Sequence, residues 1–451
     1  MSATPLCFPA EKTAGWPSSL LKMVLSPPQA AVRLAPLLFV GTLAIFLFRP
    51  PDVDLYQLDR IFFGLAVVTC LLRATLLRKQ LWPTISLILP MLLLSLLTVA
   101  STLGQAYDPQ TWSLLAAKFV VPYTLYYLAS LTFDTPASLR HLETFLLVVL
   151  AYLSFTAIAQ LFGLDALVFP SFILDPSIGT HIDRARGPFL QAVANGVVLN
   201  ILGLVALDSY RRGRLRGLAA VVLLSALPVA ILATMTRAVW LSFAGSIVWV
   251  GFSACKYLRK ASLALIAVAA VGLLVSLATP GQQSALADRA EEQGPIDIRL
   301  AIYRAALGMA VEKPVLGWGV NQMPQEVVRR AEGYRLKAYW AHNSYLEILV
   351  ENGIVGLALY LVIAIGLFRV GRERAGPTPA PNQFWCQTLA GAGFRKLWPV
   401  LVCAYLFNAC FVVMNYQFVN ALLFTLAGIL AVPRPSKERI GYVPAIATGR
   451  A

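Results

Sequence analysis

The sequence predicts an all-α polytopic membrane protein with about twelve transmembrane helices. Three observations predict it. Hydrophobic residues make up 58% of the chain and charged residues only 13%, where a soluble domain is about a quarter charged. The mean hydropathy is +0.70. Apolar runs near the roughly 20-residue length that crosses a bilayer recur along the chain, and Lys and Arg gather in alternate gaps between them.

The runs lie near 34–48, 55–77, 82–104, 113–132, 143–163, 188–208, 217–235, 238–254, 261–279, 344–368, 397–413 and 417–432. The first is short, and the second and fourth carry Arg73 and Lys118. The chain divides into a tail (1–33), spans 1–9 (34–279), a long loop (280–343), spans 10–12 (344–432) and a second tail (433–451). Lys12, Lys22 and Arg33 precede span 1. Arg78 and Lys79 follow span 2, Arg211, Arg212, Arg214 and Arg216 follow span 6, and Lys256, Arg259 and Lys260 follow span 8. Arg369, Arg372, Arg374, Arg395 and Lys396 follow span 10, and Arg434, Lys437 and Arg439 follow span 12. All are even-numbered exits, so these loops and both tails are expected in the cytoplasm. The gap after span 4, with Asp134 and Arg140, adds least to this pattern.

The odd-numbered exits then face outward, into the periplasm of a Gram-negative cell. Two outer loops are substantial, 164–187 and 280–343. Within the longer, DIRLAIYRAALGMAVE (297–312) has apolar residues at helical spacing and predicts an amphipathic helix. EKPVLGWGVNQ (312–322) reads as a turn, and 325–340 as a second short helix. The net charge of +15 is spread between spans, which fits cytoplasmic loops facing anionic lipid and disfavours nucleic acid. Cys7, Cys70, Cys255, Cys386, Cys403 and Cys410 show no zinc or disulfide spacing and read as structural. No cleavable signal peptide is expected, because the first apolar run begins only near Leu34.

Cations on the outer face run against the positive-inside rule, so they carry the information. RARG (184–187) brings Arg186 to the entry of span 6. TMTRAVW (234–240) puts Arg237 in a tight outer turn. Arg299 and Arg304 lie in the long loop, and Lys118 lies in the outer third of span 4. Any one of them has a plain explanation: snorkelling, or ion pairs of Arg299 and Arg304 with Asp297 or Glu312. Together they share a face with His342, one of three histidines. His342 and Asn343 stand where the long loop meets span 10, in WAHNSYLEILVENGIVG (340–356). The plain reading there is a helix start, with Asn343 as cap and Glu347 close to the capping-box spacing. The functional reading is anion handling at the membrane surface. Arg forks phosphate and keeps its charge. A neutral His beside such cations accepts a proton from an attacking hydroxyl. That chemistry is group transfer from a polyprenyl diphosphate, with no metal or other cofactor needed.

These residues resemble the O-antigen ligase and polymerase superfamily of bacterial polysaccharide assembly. His342-Asn343, then nine residues, then Gly353-Ile354-Val355-Gly356 is the pattern of its ligase branch. KPVLGWGVNQ (313–322), TMTRAVWLSF (234–243) and RGPFLQAVANG (186–196) resemble further family segments, and Arg299 stands where the family carries an early loop arginine. The resemblance covers roughly 184–360. One departure is Tyr303, where the family often has Trp; Arg304 beside it makes Arg299 the first choice of loop arginine and Arg304 the second. The resemblance implies a GT-C-type inverting glycosyltransferase of the inner membrane. It would move a glycan from undecaprenyl diphosphate to a sugar hydroxyl on lipid A–core. His342 would be the base and Arg299 its catalytic companion. Arg186, Arg237, Arg304, Lys118 and Asn343 would hold the diphosphate.

Other readings compete. An O-antigen polymerase uses the same donor with a lipid-linked acceptor, and a protein O-oligosaccharyltransferase is also possible within the superfamily. A metal-dependent GT-C enzyme would use Asp52 and Asp54 in the first outer loop. A polyprenyl-diphosphate transporter is the non-enzyme alternative, against which stands the gathering of charge at one face rather than through the midplane.

Overall fold

The computed structural model describes residues 27–49, 57–81, 87–179, 181–253, 256–278, 294–330, 342–372 and 388–431. Among them the chain is helical throughout, with no strand. The helices are α1 (Pro27–Leu47), α2 (Leu58–Leu76), α3 (Ile88–Leu103), α4 (Pro109–Thr132), α5 (Pro136–Leu161), α6 (Ala192–Arg211), α7 (Gly217–Ala233), α8 (Arg237–Ser253) and α9 (Lys256–Ala278). Then come α10 (Gly294–Glu312) and α11 (Met323–Arg330) in the long loop, followed by α12 (Ser344–Val370), α13 (Ala392–Ala409) and α14 (Gln417–Ala431).

Each of the twelve apolar runs falls on one of α1–α9 or α12–α14. Four helices, α4, α5, α6 and α12, are long and apolar enough on their own to cross a membrane. Five more are apolar but shorter. The exposed face of α2 carries Ile61, Leu65, Val68, Leu72 and Leu76 at helical spacing. A continuous apolar stripe of that kind is unfavourable in water and natural against lipid. By contrast, α6 and α14 are buried along nearly their whole lengths and form the centre of the bundle.

Boundaries differ from expectation where capping and charge decide them. α4 starts at Pro109, earlier than the apolar run, because Asp108 accepts from the backbone N–H of Gln110 (3.1 Å) and Thr111 (3.0 Å). That is the side-chain cap preferred at a helix N-terminus. α9 starts at Lys256, so Arg259 and Lys260 lie on a helix rather than in a loop. In the long loop, α10 covers the predicted amphipathic helix. α11 ends at Arg330, and the rest of the predicted second helix lies outside the described residues. So do the 1–26 segment, Asp52, Asp54, Cys7, Cys255, Cys386 and most of 375–393.

Hydrogen bonds group the helix ends. At one end, Arg73 of α2 bonds Asp134 after α4 (2.6 Å). There too, Arg212 after α6 pairs with Glu143 at the start of α5 (2.6 Å) and with Asp208 (2.7 Å). At the other end, Arg49 after α1 reaches Gln417 at the start of α14 (3.0 Å). Ser344 at the start of α12 donates to Val412 O after α13 (2.9 Å). The ends alternate as an up-and-down bundle requires. The charges that interrupt span 2 and the gap after span 4 are thus each other's partners.

Candidate functional site

The site is built where the long loop leans on α12. That helix is broken at Gly353, whose φ of 65° and ψ of −168° are not helical. The KPVLGWG turn fills the break. Trp318 N–H donates to Val350 O, Gly319 N–H to Glu351 O and Ile354 N–H to Pro314 O, each at 2.8 Å. Backbone groups freed by the kink therefore bond the loop, as buried backbone must. The approach is too close for side chains: a Cβ on Gly353 would lie 2.1 Å from Val315 O, and one on Gly317 2.5 Å from Asn352 N. The first glycine of the Gly-x-x-Gly spacing and those of the loop's turn thus serve contact between loop and helix. Trp318 locks the turn from outside, donating Nε1–H to Met309 O (2.8 Å) beneath the Lys313 ammonium, 3.9 Å from the ring centroid.

His342 stands immediately before α12 with a left-handed backbone, φ 48°, a conformation uncommon outside glycine. It is half-buried. Burial lowers its pKa to about 4, with Arg299 and then His181 adding to the effect. Its imidazole is therefore neutral at physiological pH and able to accept a proton. Asn343 is extended, and its Oδ1 accepts from Tyr345 N–H (3.0 Å) and Leu346 N–H (3.1 Å). The helix-cap reading is thus the role its carbonyl has here. Ser344 pins the same point, accepting from Met414 N–H (2.8 Å).

The expected cations separate into two groups. Arg299, on α10, acts on His342 through its field. Arg304 is five residues on, about 140° around the helix, and is exposed. Ile302, Ala306 and Met309 form the buried face of α10 against Leu346 and Val350 of α12. Glu312, an alternative ion partner for these arginines, pairs with Arg330 instead. Arg237 opens α8 and is exposed. Its turn is tied to the first outer loop by Ala185 N–H donating to Ala233 O (2.9 Å). Three loops thus meet: 164–187, 234–237 and the long loop.

Two expected diphosphate ligands have other work. Lys118 is buried, with its ammonium 2.8 Å from Glu347 and 3.0 Å from Glu351. Glu347 therefore bonds Lys118 rather than closing a capping box. Arg186 is 1% exposed, and its guanidinium donates to the carbonyls of Ile173 (2.7 Å), Ile178 (2.7 Å) and Asp175. It staples the first outer loop. In the same segment Asn195 donates to Ala185 O (2.9 Å), so RGPFLQAVAN is a folding motif of that loop.

Residues 218–361 match the family model described as O-antigen ligase. The likeness read from the residues stands. No curated protein matches the chain. The O-antigen ligase segment takes in Arg237, Arg299, Arg304, His342 and both glycines of the kink motif, and leaves Lys118 and Arg186 outside. The match covers about a third of the chain and is a likeness to the ligase and polymerase family in general.

Sequence reasoning missed three groups. His181, in the first outer loop, acts on His342; its rarity as one of three histidines was the available signal. Glu347 and Glu351 answer Lys118; their i, i+4 spacing within an apolar run was the signal. Arg49, just past α1, pairs with Asp59 and bonds Gln417 at the same end of the bundle as Ser344.

Proposed function

We propose that this protein is an O-antigen ligase of the bacterial inner membrane, with twelve spans and a periplasmic site. It transfers a glycan en bloc from undecaprenyl diphosphate to a sugar hydroxyl of lipid A–core. The observation that carries the reading is the neutral, cation-flanked His342, held at the start of α12 by a loop that the O-antigen ligase family match includes. His342 takes the proton of the acceptor hydroxyl as its oxygen attacks the anomeric carbon. The bond from that carbon to the diphosphate oxygen breaks, the centre inverts, and the electron pair leaves with the diphosphate. Arg299 stabilises the leaving charge, and Arg237 and Arg304 serve donor approach. Lys118 and Asn343 act by positioning α12, and Arg186 by holding the first outer loop.

The low pKa of His342 is consistent with this role. Bound diphosphate would offset the charge of Arg299 and raise the basicity of His342 towards the working range of a general base.

The test is deletion of the gene in its own host, with lipopolysaccharide run on a gel. Bare lipid A–core, polymer held on undecaprenyl diphosphate, and rescue by wild type but not by His342→Ala are expected. Core capped by a single repeat would identify a polymerase instead. An unchanged ladder would overturn both.

A further inference from the structure

A second cavity opens at the His342 end of the bundle, between the end of α1, the first turns of α4 and the segment joining α13 to α14. It is small and partly open to solvent. Phe189, Tyr416 and Phe418 supply aromatic wall, with the rings of Phe189 and Phe418 stacked at 5.7 Å. Gln110, Ser113 and Asn415 line it with amide and hydroxyl groups, each able to donate and to accept.

Arg49 also lines it, and its charge is already answered. Its Nε lies 2.8 Å from the Asp59 carboxylate, and Nη1 donates to Gln417 Oε1 (3.0 Å). A guanidinium balanced in this way offers hydrogen bonds without surplus charge, so the cavity favours hydroxyls over phosphate. The half-buried Tyr416 ring beside amides and a neutralised fork suits the apolar ring face and polar rim of a sugar. The cavity is also tied to the reaction centre. Asn415 follows Met414, which bonds Ser344, two residues past His342. That path is at most about 18 Å by chain geometry.

We propose that this cavity is a subsite for an uncharged pyranose unit of a glycan substrate. The assignment rests on the reading of the protein as a glycan transferase. It differs from the diphosphate site in chemistry and place. The sugar could belong to the acceptor core or to the donor's repeat unit, which share this chemistry.

Saturation-transfer NMR on the full-length protein in nanodiscs tests it, with two lipid-free probes: the host's core oligosaccharide and its O-repeat oligosaccharide. Wild type should bind one of them. Gln110→Ala combined with Asn415→Ala should weaken that binding about tenfold or more, the loss of two hydrogen bonds. Ser113→Leu, which fills the space, should do the same and guards against a folding artefact in the double variant. The probe that binds names the source. Unchanged binding in both variants, or no binding of either probe to wild type, would overturn the subsite. Binding that depends on the cavity in a protein that performs no transfer would preserve the subsite and sink the transferase reading.

Discussion

Lys118 and Arg299 are both cations near the start of α12, yet the fold treats them oppositely. Lys118 is enclosed by Glu347 and Glu351, whereas the field of Arg299 falls on His342. Arg212, at the far end of the bundle, repeats the first pattern with Glu143 and Asp208. A buried cation with carboxylate partners is spent on architecture, because removing either partner strands a charge. A cation beside a titratable base is available to a substrate. Arg186, held by three backbone carbonyls, also belongs to the architecture.

That contrast can be broken at several points. Lys118→Ala should destabilise the protein by about 3–5 kcal/mol, the cost of breaking a buried ion pair. Adding Glu347→Gln and Glu351→Gln should recover much of that loss in thermal melts. If Lys118→Ala instead kept full stability and weakened donor binding, Lys118 would belong with Arg299. Gly353→Ala should cost about 1–3 kcal/mol or more, because the kink demands backbone angles that essentially only glycine adopts. Loss of activity should accompany it as the loop leaves α12, and a melt unchanged from wild type would remove the kink from the account.

Smaller effects sharpen the comparison. Arg299→Gln removes one of the influences that hold the pKa of His342 near 4, so His342 should titrate at higher pH than in wild type, by NMR of its imidazole carbons. In wild type the free-enzyme profile, kcat/KM, should be flat near neutrality and fall only as pH drops towards 4, where the base becomes protonated. Arg304→Ala, on the exposed side of α10, should change transfer least. A loss as large as that of Arg299→Gln would reverse the order of the two loop arginines.

Much of this was legible in the sequence. The runs that became α1–α9 and α12–α14 announce themselves because apolar length is a one-dimensional property. The Gly353-x-x-Gly356 spacing and the KPVLGWG turn were visible as motifs, but not that they touch, since their contact is made by backbone atoms that every sequence has. The contacts of Arg186 were hidden for the same reason: its acceptors are three carbonyls. The ion pairs of Lys118 were not legible because its carboxylates come from another helix, far along the chain. His342 stood out as a candidate because a rare residue type lies at a boundary between polar loop and apolar span. His181, in the polar first outer loop, carried no comparable context.

The most direct measurement is transfer by the purified protein in nanodiscs, supplied with undecaprenyl-diphosphate-linked glycan and lipid A–core. Wild type is expected to form glycan-capped core and release one undecaprenyl diphosphate per glycan moved. His342→Ala is expected to lose roughly 10²–10⁴-fold in rate, the usual contribution of a general base, while remaining folded and retaining donor binding. Transfer by His342→Ala at the wild-type rate would contradict the account.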